Sequence, residues 1–291
     1  MSRLLALDLG GTNLRAGVAH AGRPVVVETV GRWPAPARLA DFEVILRELV
    51  ETHDPARIGI AIPGLANGTT CTWVPNLPWL DGVDLGALLP GRPLALGNDA
   101  QLSLLAEATG GAVSELEDAI LLAIGTGIGS AVLSGGRVVR GARDGATSFG
   151  WACADPSDAG DDRDGWLERH ASGRALDRLA ATIGLADGAA LIEAARGGNV
   201  QAQHLLEGPA SALGTALAGA VALLDVRAIV FAGGVATALD VLEKPIIAAL
   251  QRQLPPHLRA VRLLAGQYGP GAALAGAAIA AAGSPLWEDR K

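Results

Sequence analysis

Apolar positions along the chain follow two rhythms. Leu4–Leu9 (LLALDL) is an almost continuous apolar run, broken only at Asp8 and closed by Gly10-Gly11. Leu14–Ala19 and Val25–Val30 follow at short spacing, so the N-terminal stretch predicts three antiparallel strands. The period then changes. Leu39, Phe42, Ile45, Leu46 and Leu49 recur three and four apart, which predicts an amphipathic helix over Leu39–Thr52. Ile58–Ile62 (IGIAI) has the unbroken apolar character of a buried strand and ends at Pro63-Gly64. Leu94–Leu96 reads as another strand, followed by a helix over Ala100–Ala108. Ala119–Ile124 and Ser130–Leu133 flank a second glycine turn, and Gly165–Ala171 reads as a short helix. Beyond it the pattern is mostly helical, with Val200–Leu224 the longest helix. One further strand, Ala228–Ala232, enters Gly233-Gly234. Strands alternating with helices predict an α/β architecture.

The chain also echoes itself. LLALDLGGTNLRAGVA near the start and ILLAIGTGIGSAVLSG at 120–135 share one order of strand, glycine-rich turn and strand. Two such hairpins predict a duplicated design facing a shared cleft. Gly110-Gly111 is the expected hinge. Residues 1–110 then form a smaller lobe, rejoined by a C-terminal helix over 271–283, and residues 111–270 form a larger one.

Composition narrows the chemistry. Half of the 291 residues are hydrophobic, yet there is one Met, one Tyr and three Phe, so the core is expected to be aliphatic. A net charge of −7 without any basic run argues against a nucleic-acid partner, because phosphate contacts need clustered Lys and Arg. Cys71 and Cys153 form no CxxC pair and suit a reducing cytoplasm. The opening MSRLLALDLGG is too short an apolar run for a signal peptide. Gly208–Leu224 and Gly269–Trp287 carry no charge, but both are rich in Ala and Gly and contain Pro. They read as packed buried helices, not membrane spans.

Candidate chemistry sits at the turns. Asp8-Leu9-Gly10-Gly11-Thr12-Asn13 lies between two strands, where glycines let backbone N–H groups face a bound anion. Thr12 and Asn13 add side-chain donors, and Asp8 is placed to hold Mg²⁺ through water. Gly125-Thr126-Gly127-Ile128-Gly129 looks like a dinucleotide fingerprint but has Ser130 at the sixth position and runs into a strand. Either turn alone is equally a plain hairpin turn; the two together favour phosphate binding. Gly233-Gly234 is a third glycine turn, open to a nucleoside or to a simple strand-to-helix connection. Gly97-Asn98-Asp99-Ala100 separates a strand from a helix. Asp99 is either the helix N-cap or a general base that takes a proton during phosphoryl transfer. Trp73 and Trp79 flank Pro75-Asn76 and read first as packing residues.

In this order, DLGGTNLRAG, PNLPWLDGVDL, NDA and LLAIGTGIGSAVLSGG resemble the ROK family of sugar kinases, of the hexokinase and actin-like ATPase superfamily. The likeness runs from about residue 4 to about residue 282. It implies a two-domain actin-like ATPase (ribonuclease H-like) α/β fold with a cleft between lobes, ATP and Mg²⁺ as cofactors, and a homodimer. It implies that Asp8, Gly10, Gly11, Thr12 and Asn13 cradle the terminal phosphates, with Gly125, Thr126 and Gly127 doing so from the other lobe. Gly233 and Gly234 would approach the nucleoside. Asp99 would be the base, and Asn98, Gly64 and Asn76 would lie on the sugar side. Regulators of the family carry a winged helix ahead of the first hairpin; with that hairpin beginning at Leu4, the kinase class is expected.

One segment departs from the family. TSFGWACADPSDAGDDRDGWLERH stands where ROK sugar kinases show GE-x-GH and then CxCGxxGCxE, which hold a structural zinc and contact the sugar. Ser148 takes the place of the Glu and Trp151 that of the His. Ala159, Asp161 and Trp166 fall at the three Cys positions, so no zinc site is expected. An EF-hand reading of the aspartates fails at Gly160 and Ala171, where carboxylates are needed, which leaves a solvated acidic loop. Glu168 survives, as a sugar hydroxyl acceptor or as an exposed helix acid. The expectation is therefore a kinase acting on the primary 6-hydroxyl of glucose or an analogue such as the amino-hexose kanosamine. The alternatives are a C7-cyclitol kinase or a non-catalytic sugar or nucleotide sensor.

Overall fold

The computed structural model describes residues 2–146 and 148–287. In chain order, β1 (Arg3–Leu9), β2 (Asn13–His20) and β3 (Arg23–Pro34) precede helix α1 (Leu39–His53). Strands β4 (Arg57–Ile62), β5 (Leu65–Asn67), β6 (Thr70–Trp73) and β7 (Leu94–Asn98) lead to α2 (Asp99–Gly110). Next come β8 (Ala119–Ile124), β9 (Ile128–Ser134) and β10 (Arg137–Val138), then α3 (Trp166–Ala171), α4 (Gly173–Thr182), α5 (Gly188–Arg196) and α6 (Val200–Leu224). The chain finishes with β11 (Ala228–Ala232), α7 (Leu239–Gln253), β12 (Arg262–Ala265) and α8 (Ala272–Ala282).

Two compact units emerge. The first comprises Met1–Glu117, Ala131–Thr147 and Gln267–Lys291; the second comprises Asp118–Ser130 and Ser148–Gly266. The sequence boundary at Gly110-Gly111 followed chain adjacency, whereas residues 131–147 fall in the first unit. There the end of β9 pairs with β10, Gln101 Nε2 donates to Val139 O and Asp144 O, and Arg140 lies 4.8 Å from the ring centroid of Trp287.

The first unit is built on the sheet β3-β2-β1-β4-β7. The hairpins β1–β2 and β2–β3 are antiparallel, while β1–β4 and β4–β7 are parallel. β3 outruns the predicted Val25–Val30 at both ends, and bulges at Ala16/Gly17 and Val18/His20 adjust its pairing with β2. Buried Leu5, Leu7, Leu9, Ile58, Ile60 and Ile62 form one wall of the core, and α1 covers it with Phe42, Leu46 and Leu49. The Trp79 indole packs 6.0 Å from Phe42 and donates its N–H to Pro36 O at 3.0 Å, so it is a packing residue. Trp73 is 49% exposed. α8 is buried from Ala272 to Ala281 against the sheet and α2. Its Ala/Gly composition has a steric cause. A Cβ on Gly276 would collide with Leu102 O, and one on Gly59 with Ala277 O.

In the second unit β8, β11 and β12 run parallel. β12 escaped the sequence reading because RLLA is only four residues long. α6 is the one described helix long and apolar enough to cross a bilayer, yet half of its apolar window is buried. A Cβ on Gly214 would sit 2.5 Å from Ile246 O of α7, so small residues here serve helix packing.

Candidate functional site

In the first unit the candidates gather at the ends of β1 and β7. The β1–β2 hairpin closes with Gly10 N–H donating to Asn13 O at 2.9 Å. Thr12 O accepts from Ala35 N–H, while among the described residues the Gly11 and Thr12 N–H groups have no protein acceptor. Two adjacent free donors at a strand end form a nest for anionic oxygens. The Asn13 side chain accepts from Arg32 at 3.1 and 3.2 Å through Oδ1. Asn76 packs over Gly11, where an added Cβ would lie 3.0 Å from the Asn76 Cβ.

Asp8 and Asp99 form the electrostatic centre of this unit. The hairpin register places Arg15 opposite Asp8, and its guanidinium reaches the carboxylate at 3.4 Å while donating to Pro270 O at 2.6 Å. Burial nevertheless raises the Asp8 carboxyl above the usual carboxylate range, with Arg15 acting against the rise. Burial and the neighbouring Asp8 push Asp99 up to about 7. The N-cap reading of Asp99 does not hold. Asn98 caps α2, its Oδ1 accepting from Ala100 N–H at 2.9 Å and Gln101 N–H at 3.3 Å. Asn98 Nδ2 donates to Gly64 O at 3.2 Å, so this amide ties β7 to the turn after β4 and keeps one free N–H. Asp99 keeps one carboxylate oxygen on Ala100 N–H at 2.8 Å.

Mg²⁺ fits this donor set. The Asp8 and Asp99 carboxylates oppose each other's charge, and a dication near Asp8 would relieve that opposition. Magnesium typically keeps most of its waters and needs only one or two carboxylates. Among the described residues no group of three or more His, Cys, Asp and Glu side chains converges.

The second unit holds the other turn. Gly125 N–H donates to Gly127 O at 3.0 Å, and the Thr126 and Gly127 N–H groups have no protein acceptor among the described residues. Glu168 Oε1 accepts from Ile128 N–H at 2.7 Å. The exposed-acid reading of Glu168 therefore fails: its carboxylate braces this turn. Gly173 N–H at the start of α4 donates to Gly125 O at 2.7 Å, and Arg174 Nε donates to Thr126 O at 3.2 Å. Gly233 has φ +76°, and a Cβ there would lie 2.5 Å from Ile124 O, so glycine is required where β11 ends beside β8. Gly234 O accepts from the Thr237 hydroxyl at 2.9 Å.

The acidic loop is internally tied. Asp158 pairs with Arg169 at 2.7 Å and Asp164 with Arg174 at 2.6 Å. Asp155 accepts from Ser157, and Asp161 from the Arg163 and Asp164 N–H groups. Trp166 stacks on His170 with centroids 4.4 Å apart. Trp151, 43% exposed, lines a cavity of about 490 Å³ with Cys153, Trp166, Asp158, Asp161, Asp162 and Asp164. Ser148 O accepts from Trp151 N–H at 3.0 Å in the 3₁₀ turn Phe149–Trp151. Sequence reasoning missed Arg15 and Arg174. The first was within reach, since hairpin register sets Asp8 opposite Arg15. The second had no local signal, because Arg174 and Thr126 meet only through the fold.

Comparison with known proteins gives the family. The family model described as the ROK family matches residues 4–283. The bifunctional enzyme NanE/NanK of Brucella melitensis biotype 1 is 32% identical over 97% of this chain, and the chain spans 54% of that protein. Kanosamine kinase of Amycolatopsis mediterranei is 32% identical, with 81% of each chain covered. The crystal structure of a ROK family glucokinase from Streptomyces griseus, in complex with glucose and AMPPNP, superposes with a TM-score of 0.79 at 27% identity. That superposition covers 96% of this chain and 99% of the other.

Proposed function

The chain belongs to the ROK family, and we propose that it is an ATP- and Mg²⁺-dependent sugar kinase acting on the primary 6-hydroxyl of glucose or a glucose analogue. An amino-hexose of the kanosamine type is the favoured acceptor. One observation carries the reading: Asp99 is raised to about 7 beside a free-donor turn, with Asn98 rather than Asp99 capping α2. A carboxylate with that proton affinity is matched to proton uptake near neutral pH. A sensor gains nothing from such a group and bears its desolvation cost.

In this reaction the sugar oxygen attacks the terminal phosphorus of ATP, its proton passes to Asp99, and ADP leaves. Within the first unit the Gly11 and Thr12 N–H groups are suited to phosphate oxygens, and within the second the Thr126 and Gly127 N–H groups are suited to the same chemistry. Asp8 is the residue that would hold Mg²⁺, and that ion would supply neutralisation of phosphate charge. Glu168, held by Ile128 N–H, keeps Oε2 for a sugar hydroxyl. Ser148 and Trp151, in place of Glu and His, favour an acceptor that differs from glucose around C1 to C3. The kinship with kanosamine kinase supports the same choice.

A coupled ADP-release assay over glucose, N-acetylmannosamine, kanosamine and C7 cyclitols tests the proposal. Turnover highest on an amino-hexose is expected. Sugar binding without turnover on any acceptor would leave the sensor reading in its place.

A further inference from the structure

Gly97 stands immediately before Asn98 and Asp99 in β7, where it pairs with Ala61 of β4. Glycine inside a strand weakens it and often marks a place where another group comes close. Here that group is an indole. A Cβ on Gly97 would lie 2.6 Å from both Cη2 and Cζ2 of Trp287, so the ring rests directly on this backbone. Trp287 belongs to the segment after α8 and is only 7% exposed. Its N–H donates to Ser284 O at 3.0 Å, and the neighbouring Leu286 O accepts from Val138 N–H of β10 at 2.9 Å. The Arg140 guanidinium lies 4.8 Å from the ring centroid and pairs with Asp144 at 2.8 Å. β7 is an edge strand, joined on one side only by β4, and Gly97 gives it no side chain with which to pack. Trp287 supplies that packing from a distant part of the chain.

We propose that Trp287 is a positioning residue for phosphoryl transfer: its indole, stacked with Arg140, fixes the Gly97 backbone and through it the placement of Asn98 and Asp99. The inference rests on the kinase reading and deepens it, giving the base a support outside the motif that carries it. Asn98 is tied to Gly64 O and to the N–H groups of Ala100 and Gln101, so a shift at Gly97 is passed to the start of α2. A displacement of about 1 Å in a catalytic group can lower a rate about 100-fold.

Steady-state kinetics of the full chain test this, with ATP, Mg²⁺ and whichever of kanosamine, glucose and N-acetylmannosamine is turned over fastest. Trp287→Phe keeps an aromatic ring but removes the distal carbons that meet Gly97. It is expected to remain folded by circular dichroism and to lose about tenfold in kcat, with both KM values within about twofold, because the base is displaced while the binding groups stay. Gly97→Ala drives a methyl into the indole and loses about 100-fold. In Gly97→Ala/Trp287→Phe the methyl enters the vacated space, so kcat recovers by about tenfold over Gly97→Ala. Leu102 Cγ, 3.2 Å from the same Cβ, keeps the recovery incomplete. Wild-type kcat in folded Trp287→Phe, a rise in KM in place of the fall in kcat, or no recovery in the double variant would reduce Trp287 to a core residue and overturn the inference alone. If Gly97→Ala does not fold, Trp287→Phe decides by itself. Absence of wild-type turnover on all three acceptors would overturn the kinase reading and this inference with it.

Discussion

Asp99 carries opposite signs for stability and for function. Its free carboxyl titrates near 3.8, while burial and Asp8 raise it to about 7 in the folded chain. Between those values the native state binds a proton that the unfolded state has released, so stability falls as pH rises from about 4 to about 7. Above pH 7 the folded chain bears the full cost of an ionised, desolvated group. Asp99→Asn removes that cost. It is expected to unfold like wild type near pH 4 and to melt several degrees higher at pH 8. In the same variant kcat should drop by about three orders of magnitude or more, the scale of a lost general base combined with lost positioning. For wild type, kcat/KM should rise tenfold per pH unit below about 7 and level off above it, because only ionised Asp99 accepts the proton. A flat profile across pH 5.5 to 8 would take Asp99 out of the proton transfer. The acid itself was legible in the sequence, but its role was not. Asp and Asn are both good caps, and only the bonds of Asn98 to Ala100 and Gln101 assign the cap.

Helices show why glycine content alone misleads. Within α6, Gly214 and Gly219 look alike in sequence. Gly214 is buried, and a Cβ there would fall 2.5 Å from Ile246 O and 2.6 Å from Ala249 Cβ. Gly219 is exposed and has open space around it. Gly214→Ala must therefore push α7 away and should cost about 1–3 kcal/mol, as overpacking does. Gly219→Ala removes only a helix penalty and should gain about 0.5–1 kcal/mol. Urea denaturation of the two variants separates these signs, and a loss at both positions would mean that helix geometry rather than packing sets the cost. The periodicity of α1 was readable because its apolar stripe faces one wall. α6 and α8 are apolar nearly all round, so their sequences announced burial without saying what covered them. The pairing of Gly276 with Leu102 and of Gly59 with Ala277 belongs to the fold.

At the scale of the whole chain, the first unit must collect three separated segments, and one buried acid ties two of them. Glu107, fully buried in α2, accepts from Ala112 N–H at 2.8 Å through Oε2 and from Tyr268 N–H at 3.0 Å through Oε1. Ala112 lies just before the chain leaves this unit, and Tyr268 just after it returns. The sequence marked the place by Gly110-Gly111 and took it for a hinge. Gly111 also makes room for a carboxylate there, since a Cβ on it would collide with Glu107. Tyr268 registers the same charge, its hydroxyl held above the usual phenol range by burial and by Glu107. Replacing Glu107 with Gln leaves one acceptor for two donors, and a buried N–H without a partner costs about 1–3 kcal/mol. Glu107→Gln should therefore lower stability by that amount and speed hydrogen exchange at Ala112 and Tyr268 more than in β1 or β4. Glu107→Ala should do both more strongly, because it strands both donors and leaves a cavity at a fully buried position. Uniform acceleration across the unit would show that Glu107 supports the core at large. Acceleration confined to the two amides would locate its contribution where the chain leaves and re-enters the unit.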